Sequence, residues 1–249
     1  MEHSTPRVVV VTGAGTGIGR ATAQAFATCG YAVVAVGRRA APLVETAVGR
    51  PGVTPLTADV TAPDGPGMIV REALARYGRL DMLVNNAGVA GGGPLAELDE
   101  DAARRQLETN LLGPIRLAHA ALPALTEARG VIVNVTTSVG ARASPGSSVY
   151  AGGKAALDSL TRSWAVELVP RGIRVVAVAP GAIDTPIGEH SGLSPERRAA
   201  VRDWQLAHTP AGRIGRPEDV AWAILRLCEP EADFVTGVVL PVDGGAVVA

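Results

Sequence analysis

The chain has almost no lysine: its 23 basic residues are 22 arginines and a single Lys154. Arginine replaces lysine at most surface positions, but not where a compact ammonium must act as a point charge beside a reacting group. Lys154 is therefore singled out before any motif is considered. Cysteine is nearly absent too. Cys29 and Cys228 lie far apart with no CxxC pair, which argues against a disulfide framework and a cysteine metal site. A reducing cytoplasm is the expected compartment. No apolar run approaches the roughly 18 residues of a membrane span, and the start, MEHSTPR, lacks the basic and apolar regions of a secretory signal. Charge of one sign is also missing. A net charge of −1 gives no electrostatic reason to expect nucleic acid or a membrane surface as partner. His3, His119, His190 and His208 show no ligand spacing, so no metal is expected.

What is present is a 47% apolar chain of 249 residues, enough for one large α/β domain over 1–249. Short β-branched runs predict strands at Val8–Thr12, Ala32–Val36, Val53–Leu56, Met82–Asn85, Val131–Thr136, Arg174–Ala179 and Val238–Val242. Between them, helices are predicted at Ile18–Cys29, Gly67–Tyr77, Asp99–Leu125, Val149–Leu168 and Pro217–Cys228. Continuous rather than alternating apolar runs suit parallel strands buried on both faces. The alternation predicts a doubly wound sheet of about seven parallel strands with helices on both faces. Residues 186–209 interrupt the pattern and read as a substrate loop.

The first strand runs into Thr12-Gly13-Ala14-Gly15-Thr16-Gly17-Ile18-Gly19 and then a helix. Glycines there let the backbone approach a pyrophosphate, and the helix N-terminus offers free N–H groups to it. The spacing is GxxxGxG from Gly13, Gly17 and Gly19, not GxGxxG. Further along stand Asn85-Asn86-Ala87-Gly88, Tyr150-x-x-x-Lys154, Pro180-Gly181 and Val242-Asp243-Gly244-Gly245. Together and in this order, these motifs resemble the short-chain dehydrogenase/reductase family, in its single-domain, 3-oxoacyl reductase-like branch. The resemblance covers nearly the whole chain. It implies a Rossmann-type fold that binds a nicotinamide dinucleotide.

Gly13, Thr16, Gly17, Ile18 and Gly19 would then hold the pyrophosphate. By the same alignment Gly37 stands where NAD-preferring members carry aspartate. With no carboxylate there, and Arg38 and Arg39 next to it, NADP(H) is favoured over NAD(H). The resemblance assigns Asp59 and Val60 to the adenine, and Asn86 and Gly88 to the cofactor cleft. Pro180, Ile183 and Thr185 fall in the segment that lies against the carboxamide.

Tyr150 and Lys154 are four apart, on one face of a predicted helix. Carbonyl reduction needs a hydride on carbon and a proton on oxygen. A free phenol, with a pKa of about 10, gives up its proton too reluctantly at neutral pH, and a neighbouring cation lowers that pKa. The family also has this lysine bind the nicotinamide ribose. Its third member is a serine, in the pattern N-x-S-S-x-x-G. Asn134-Val135-Thr136-Thr137-Ser138-Val139-Gly140 puts Thr137 in that slot, thirteen residues before Tyr150, with Ser138 the alternative. A threonine methyl there would crowd the substrate oxygen. Asn110 matches the asparagine that holds a relay water. The expected activity interconverts a ketone and a secondary alcohol on a small-molecule substrate. The alternatives are a non-catalytic NADP(H) sensor and a related-fold epimerase or dehydratase. The resemblance further implies a homotetramer, or a homodimer, built partly on the helices near 100–125 and 150–168.

Overall fold

Successive residues of a strand point to opposite faces of its sheet, and both faces of the first strand here are packed. The computed structural model describes residues 6–141, 145–187 and 194–249. In β1 (Val8–Thr12), Val8 and Val10 enter one apolar cluster while Val9 and Val11 enter another. The other strands are β2 (Ala32–Gly37), β3 (Val53–Thr57), β4 (Met82–Asn85), β5 (Val131–Val135), β6 (Arg174–Pro180) and β7 (Val239–Val242). They form one seven-stranded sheet in the order β3-β2-β1-β4-β5-β6-β7, and every pairing is parallel. The fold is Rossmann-like, as the alternation predicts. The central strands are buried throughout. The edge strands β3 and β7 are half-exposed, as strands with one neighbour should be.

The eight helices among the described residues are α1 (Gly17–Thr28), α2 (Ala40–Ala47), α3 (Gly65–Tyr77), α4 (Glu100–Leu107), α5 (Gly113–Ala128), α6 (Ser148–Leu168), α7 (Pro195–Ala207) and α8 (Pro217–Cys228). Phe26 of α1, Leu43 of α2 and Ile224 of α8 fill one face of the sheet. Ile69 of α3, Leu117 and Leu125 of α5 and Ala165 of α6 fill the other. Truncating Phe26, Leu43, Ile69, Leu117, Leu125 or Ile224 to alanine costs about 2–5 kcal/mol.

Three expectations need correction. The single helix expected over Asp99–Leu125 is two helices joined by a π turn, Glu108–Leu112, so one extra residue enters the winding just before Gly113 and Pro114. A short helix, α2, was not expected. Residues 186–209 contain a whole helix, α7, which starts at the N-cap Ser194, whose Oγ accepts from the Arg197 N–H at 3.3 Å. The strand ends differ from expectation by one residue at most.

Candidate active site

All strands point their carboxyl ends the same way, so the loops that follow β1, β2, β4, β5 and β6 converge on one edge, where doubly wound sheets bind ligands. After β1, Gly13 has φ +66° and Gly17 φ +51°, a left-handed backbone that favours glycine. A Cβ on Gly13 would lie 2.9 Å from the Ala87 Cα, and one on Gly17 3.1 Å from the Thr185 Cγ2. A Cβ on Gly19 would run into the Gly13 carbonyl oxygen. The loop is thus pressed against the loops after β4 and β6. Thr12 secures it, a role the motif reading had not assigned. Its Oγ1 donates to the Val84 carbonyl at 3.2 Å and accepts from the Asn86 and Ala87 N–H groups, each at 3.0 Å. The Asn86 side-chain amide donates back to the Thr12 carbonyl at 2.8 Å. Thr16, the N-cap of α1, makes no side-chain cap, and the first turn carries no acid, so neither offsets the positive end of the helix.

A cleft follows from this loop, lined by Gly13, Thr16, Gly37, Arg38, Arg39, Asp59, Val60 and Gly88 among others. Arg38 and Arg39 are exposed and take part in no ion pair among the described residues. Asp59 Oδ1 accepts from the N–H and hydroxyl of Thr61 at 2.9 and 2.8 Å, forming the turn after β3. These residues fit a dinucleotide. Glycines leave room for its backbone contact, an uncapped helix end meets its phosphates, and unpaired cations lie beside Gly37.

At the other end of the cleft, β5 delivers Thr136, Thr137 and Ser138, and α6 delivers Tyr150 and Lys154. The Lys154 Nζ is buried and donates to the Val135 carbonyl at 2.7 Å. Burial lowers its pKa to about 8, with Asp158 acting in the opposite direction. Burial raises the Tyr150 phenol above its ordinary 10, and a hydrogen bond with the Thr137 hydroxyl lowers it. The Lys154 charge is not among the influences on the phenol in this structure. Of the two hydroxyl candidates, Thr137 is the one that acts on the Tyr150 phenol. Its Oγ1 also accepts from the Val139 N–H at 3.3 Å and reaches the Pro180 carbonyl at 3.5 Å. Ser138 is buried at the start of a 3-10 turn.

The buried Asn110 sits in the π turn. Its side chain is taken up by the backbone of Val89: Oδ1 accepts from the N–H at 2.9 Å and Nδ2 donates to the carbonyl at 2.8 Å. A Cβ on Gly88 would lie 3.3 Å from Asn110 Oδ1 and 3.7 Å from Lys154 Nζ, so these three residues meet. Gly92 is a glycine for a local reason, because a Cβ there would overlap the Gly146 carbonyl. Ile183 bridges to Gly215, and Pro180 ends β6. Arg202 of α7 pairs with Asp184 at 3.1 Å, tying that helix to the loop after β6. Trp204 stacks on His208 at 4.2 Å and stays mostly exposed. His3 and His190 lie outside the described residues.

The cleft, with its glycine loop, half-buried Tyr150 and buried Lys154, is that of a dinucleotide-dependent oxidoreductase. The chain belongs to the short-chain dehydrogenase/reductase family, whose members act on alcohol and ketone substrates. The family described as enoyl-(acyl carrier protein) reductase matches residues 13–247. A 3-oxoacyl-(acyl-carrier-protein) reductase of Thermotoga maritima is 40% identical over 247 residues, covering 97% of this chain and 98% of that protein. A cis-4-hydroxycyclohexanecarboxylate dehydrogenase of Sinomonas cyclohexanicum is 44% identical over 96% of each chain. Among solved structures, a 3-ketoacyl-(acyl-carrier-protein) reductase from Brucella melitensis complexed with NADH superposes with a TM-score of 0.89, at 32% identity over 98% of this chain and all of that one. No helix among the described residues is long and apolar enough to cross a membrane.

Proposed function

We propose that the protein is an NADP(H)-dependent reductase that interconverts a ketone and a secondary alcohol, with Tyr150 as general acid in reduction and general base in oxidation. The reading rests above all on the single lysine, Lys154, buried one helical turn beyond Tyr150 with its Nζ on the Val135 carbonyl and beside Gly88 at the cleft. Bound nicotinamide supplies or accepts the hydride. Thr137 donates a hydrogen bond to the substrate oxygen and orients it toward the phenol. As the carbonyl carbon takes the hydride, Tyr150 gives its proton to the oxygen. We assign the stabilising of the resulting phenolate to the cation of Lys154, whose ammonium is held by the Val135 carbonyl; because only burial and Thr137 act on the phenol in this structure, that role requires ammonium and phenolate to close together when substrate binds. Asn110 supports the return of the proton to Lys154. Its side chain is committed to Val89, so we assign its role in a water relay to its backbone carbonyl, whose ordinary helical donor four residues on is Pro114, which has no N–H.

The NADP preference rests on Gly37, which offers no carboxylate, and on the unpaired Arg38 and Arg39, which suit a 2′-phosphate. Residues 1–249 serve as one cofactor-binding and catalytic domain, with 186–209 covering the substrate. A homotetramer in a reducing cytoplasm completes the reading, and exposed Val166 and Val169 at the end of α6 suit a subunit contact. Parallel assays of NADPH and NADH against ketones, with sedimentation of the intact chain, test these points. Turnover with NADH alone would overturn the cofactor assignment.

A further inference from the structure

The face of α6 that carries Tyr150 and Lys154 continues to two more charged residues. Asp158 follows Lys154 by four and precedes Arg162 by four, so the four side chains form one ridge along the helix. Asp158 is half-buried, and its Oδ1 is shut off from solvent with no hydrogen-bond partner among the described residues. Burial raises its carboxyl above the ordinary range. The Thr136 hydroxyl at the end of β5, the Arg162 guanidinium and the Lys154 ammonium act the other way. Lys154 in turn has one charged group acting on it, Asp158.

Ionisable groups on the other elements packed against α6 are engaged elsewhere or face solvent. Arg105 of α4 meets Asp99 at 3.9 Å, and Glu108 of the π turn pairs with Arg116 at 3.0 Å. Arg174, at the start of β6, donates to the Val235 carbonyl at 3.0 Å, while Arg104 and Arg171 are exposed. From β5 the neighbour is a hydroxyl, Thr136, and not a charge.

A buried carboxylate oxygen without a partner costs stability, and leucine would fill this place without that cost. What a carboxylate adds is a negative field at the ammonium one turn away. The other tie on Lys154, the Val135 carbonyl, is neutral and orients the group without balancing its charge. We propose that Asp158 is a positioning residue that acts through Lys154, keeping its ammonium charged and seated against Val135, one helical turn from Tyr150. The catalytic consequence rests on the function proposed above; the coupling of Asp158 to Lys154 does not.

One lysine in 249 residues makes the test direct. Full-length protein labelled with 13Cε-lysine gives a single side-chain NMR signal, whose titration reports Lys154 alone. The midpoint is expected at about 8 in the parent. It should fall by about one pH unit in Asp158→Asn and stay near the parent value in Asp158→Glu. Asp158→Ser, read the same way, replaces the asparagine variant if that chain does not fold. The alkaline limb of NADPH-dependent ketone reduction should move down with the midpoint, while turnover on its acid side stays near that of the parent. Equal midpoints in parent and Asp158→Asn overturn the proposal. So does an equal loss of turnover at every pH with an unmoved limb, which is the behaviour of a purely structural residue. A shifted midpoint in a chain inactive on every ketone supports the coupling and overturns the reductase reading instead.

Discussion

Replacing Gly19 by alanine should damage the cofactor loop, and a second glycine provides the matched control. Gly19 is the third residue of α1 and Gly67 the third residue of α3, so alanine brings both the same local helical preference, up to about 1 kcal/mol. Their surroundings differ. A Cβ on Gly19 would overlap the Gly13 carbonyl oxygen and sit 2.5 Å from the Asn86 Nδ2, which itself holds the Thr12 carbonyl. A Cβ on Gly67 meets only the end of the Arg71 side chain, which can swing away. Overpacking of a rigid site costs about 1–3 kcal/mol. Because the clash is with rigid backbone, the upper part of that range applies, about 2–3 kcal/mol; set against a helical gain of about 1 kcal/mol, Gly19→Ala should lose about 1–2 kcal/mol, lowering Tm by about 2–8 °C for a chain of this size. Gly67→Ala should melt at or slightly above the parent temperature. Because the displaced groups form the floor of the cleft, Gly19→Ala should also bind NADPH at least about tenfold more weakly, equivalent to about 1.4 kcal/mol. Thermal melts and fluorescence titration measure both effects. A Gly19→Ala protein that melts with the parent and binds NADPH as tightly would refute the packing argument.

Three further outcomes are expected. Thr137→Val should lower kcat by about 100-fold or more, as loss of a donor to a developing oxyanion does, while Ser138→Ala stays near the parent; the reverse ranking in steady-state kinetics would place Ser138 in the slot. Arg38→Ala, or Arg39→Ala, should weaken NADPH by about 10-fold to 100-fold, the worth of a charge-assisted hydrogen bond, and leave NADH unchanged, as measured by KM for each cofactor. Lys154→Met should abolish turnover yet raise Tm at pH 7. The drop from an ordinary 10.5 to about 8 represents about 3 kcal/mol of burial cost, of which the lost bond to Val135 offsets about 1 kcal/mol. The cost is complete below pH 8 and is relieved between 8 and 10.5, where the folded lysine loses its proton before the unfolded one does. Melts of parent and variant should therefore converge as the pH rises through that window.

Much of this was legible because the signals were local. Short β-branched runs placed all seven strands, and in the first, fifth and sixth they are continuous, as strands buried on both faces require. Gly13, Gly17 and Gly19 stood out by spacing, and Lys154 by the absence of any other lysine. What stayed hidden depended on tertiary contacts. Thr137 and Ser138 are neighbours with similar hydroxyls, and only the approach of α6 brings one of them to the phenol. Asn110 was visible as an asparagine within an expected helix, but its pairing with Val89 required a π turn that no periodicity announces. The helix α7 was passed over because its arginines and acids obscure an apolar face, although Ser194-Pro195-Glu196 is a sound start signal. Asp158 carried the right spacing all along, but only burial distinguishes it from a solvated helical acid.

The central claim is that Tyr150 transfers a proton while nicotinamide transfers a hydride. The measurement that meets it most directly follows NADPH and, separately, NADH oxidation at about 340 nm over a panel of ketones, with Tyr150→Phe beside the parent. Phenylalanine keeps the ring and removes only the acid, which general acid catalysis values at about 100-fold to 10,000-fold. The account predicts that the parent oxidises NADPH with at least one ketone and that the variant, though it still binds NADPH, does not. Equal rates in the two proteins would contradict it.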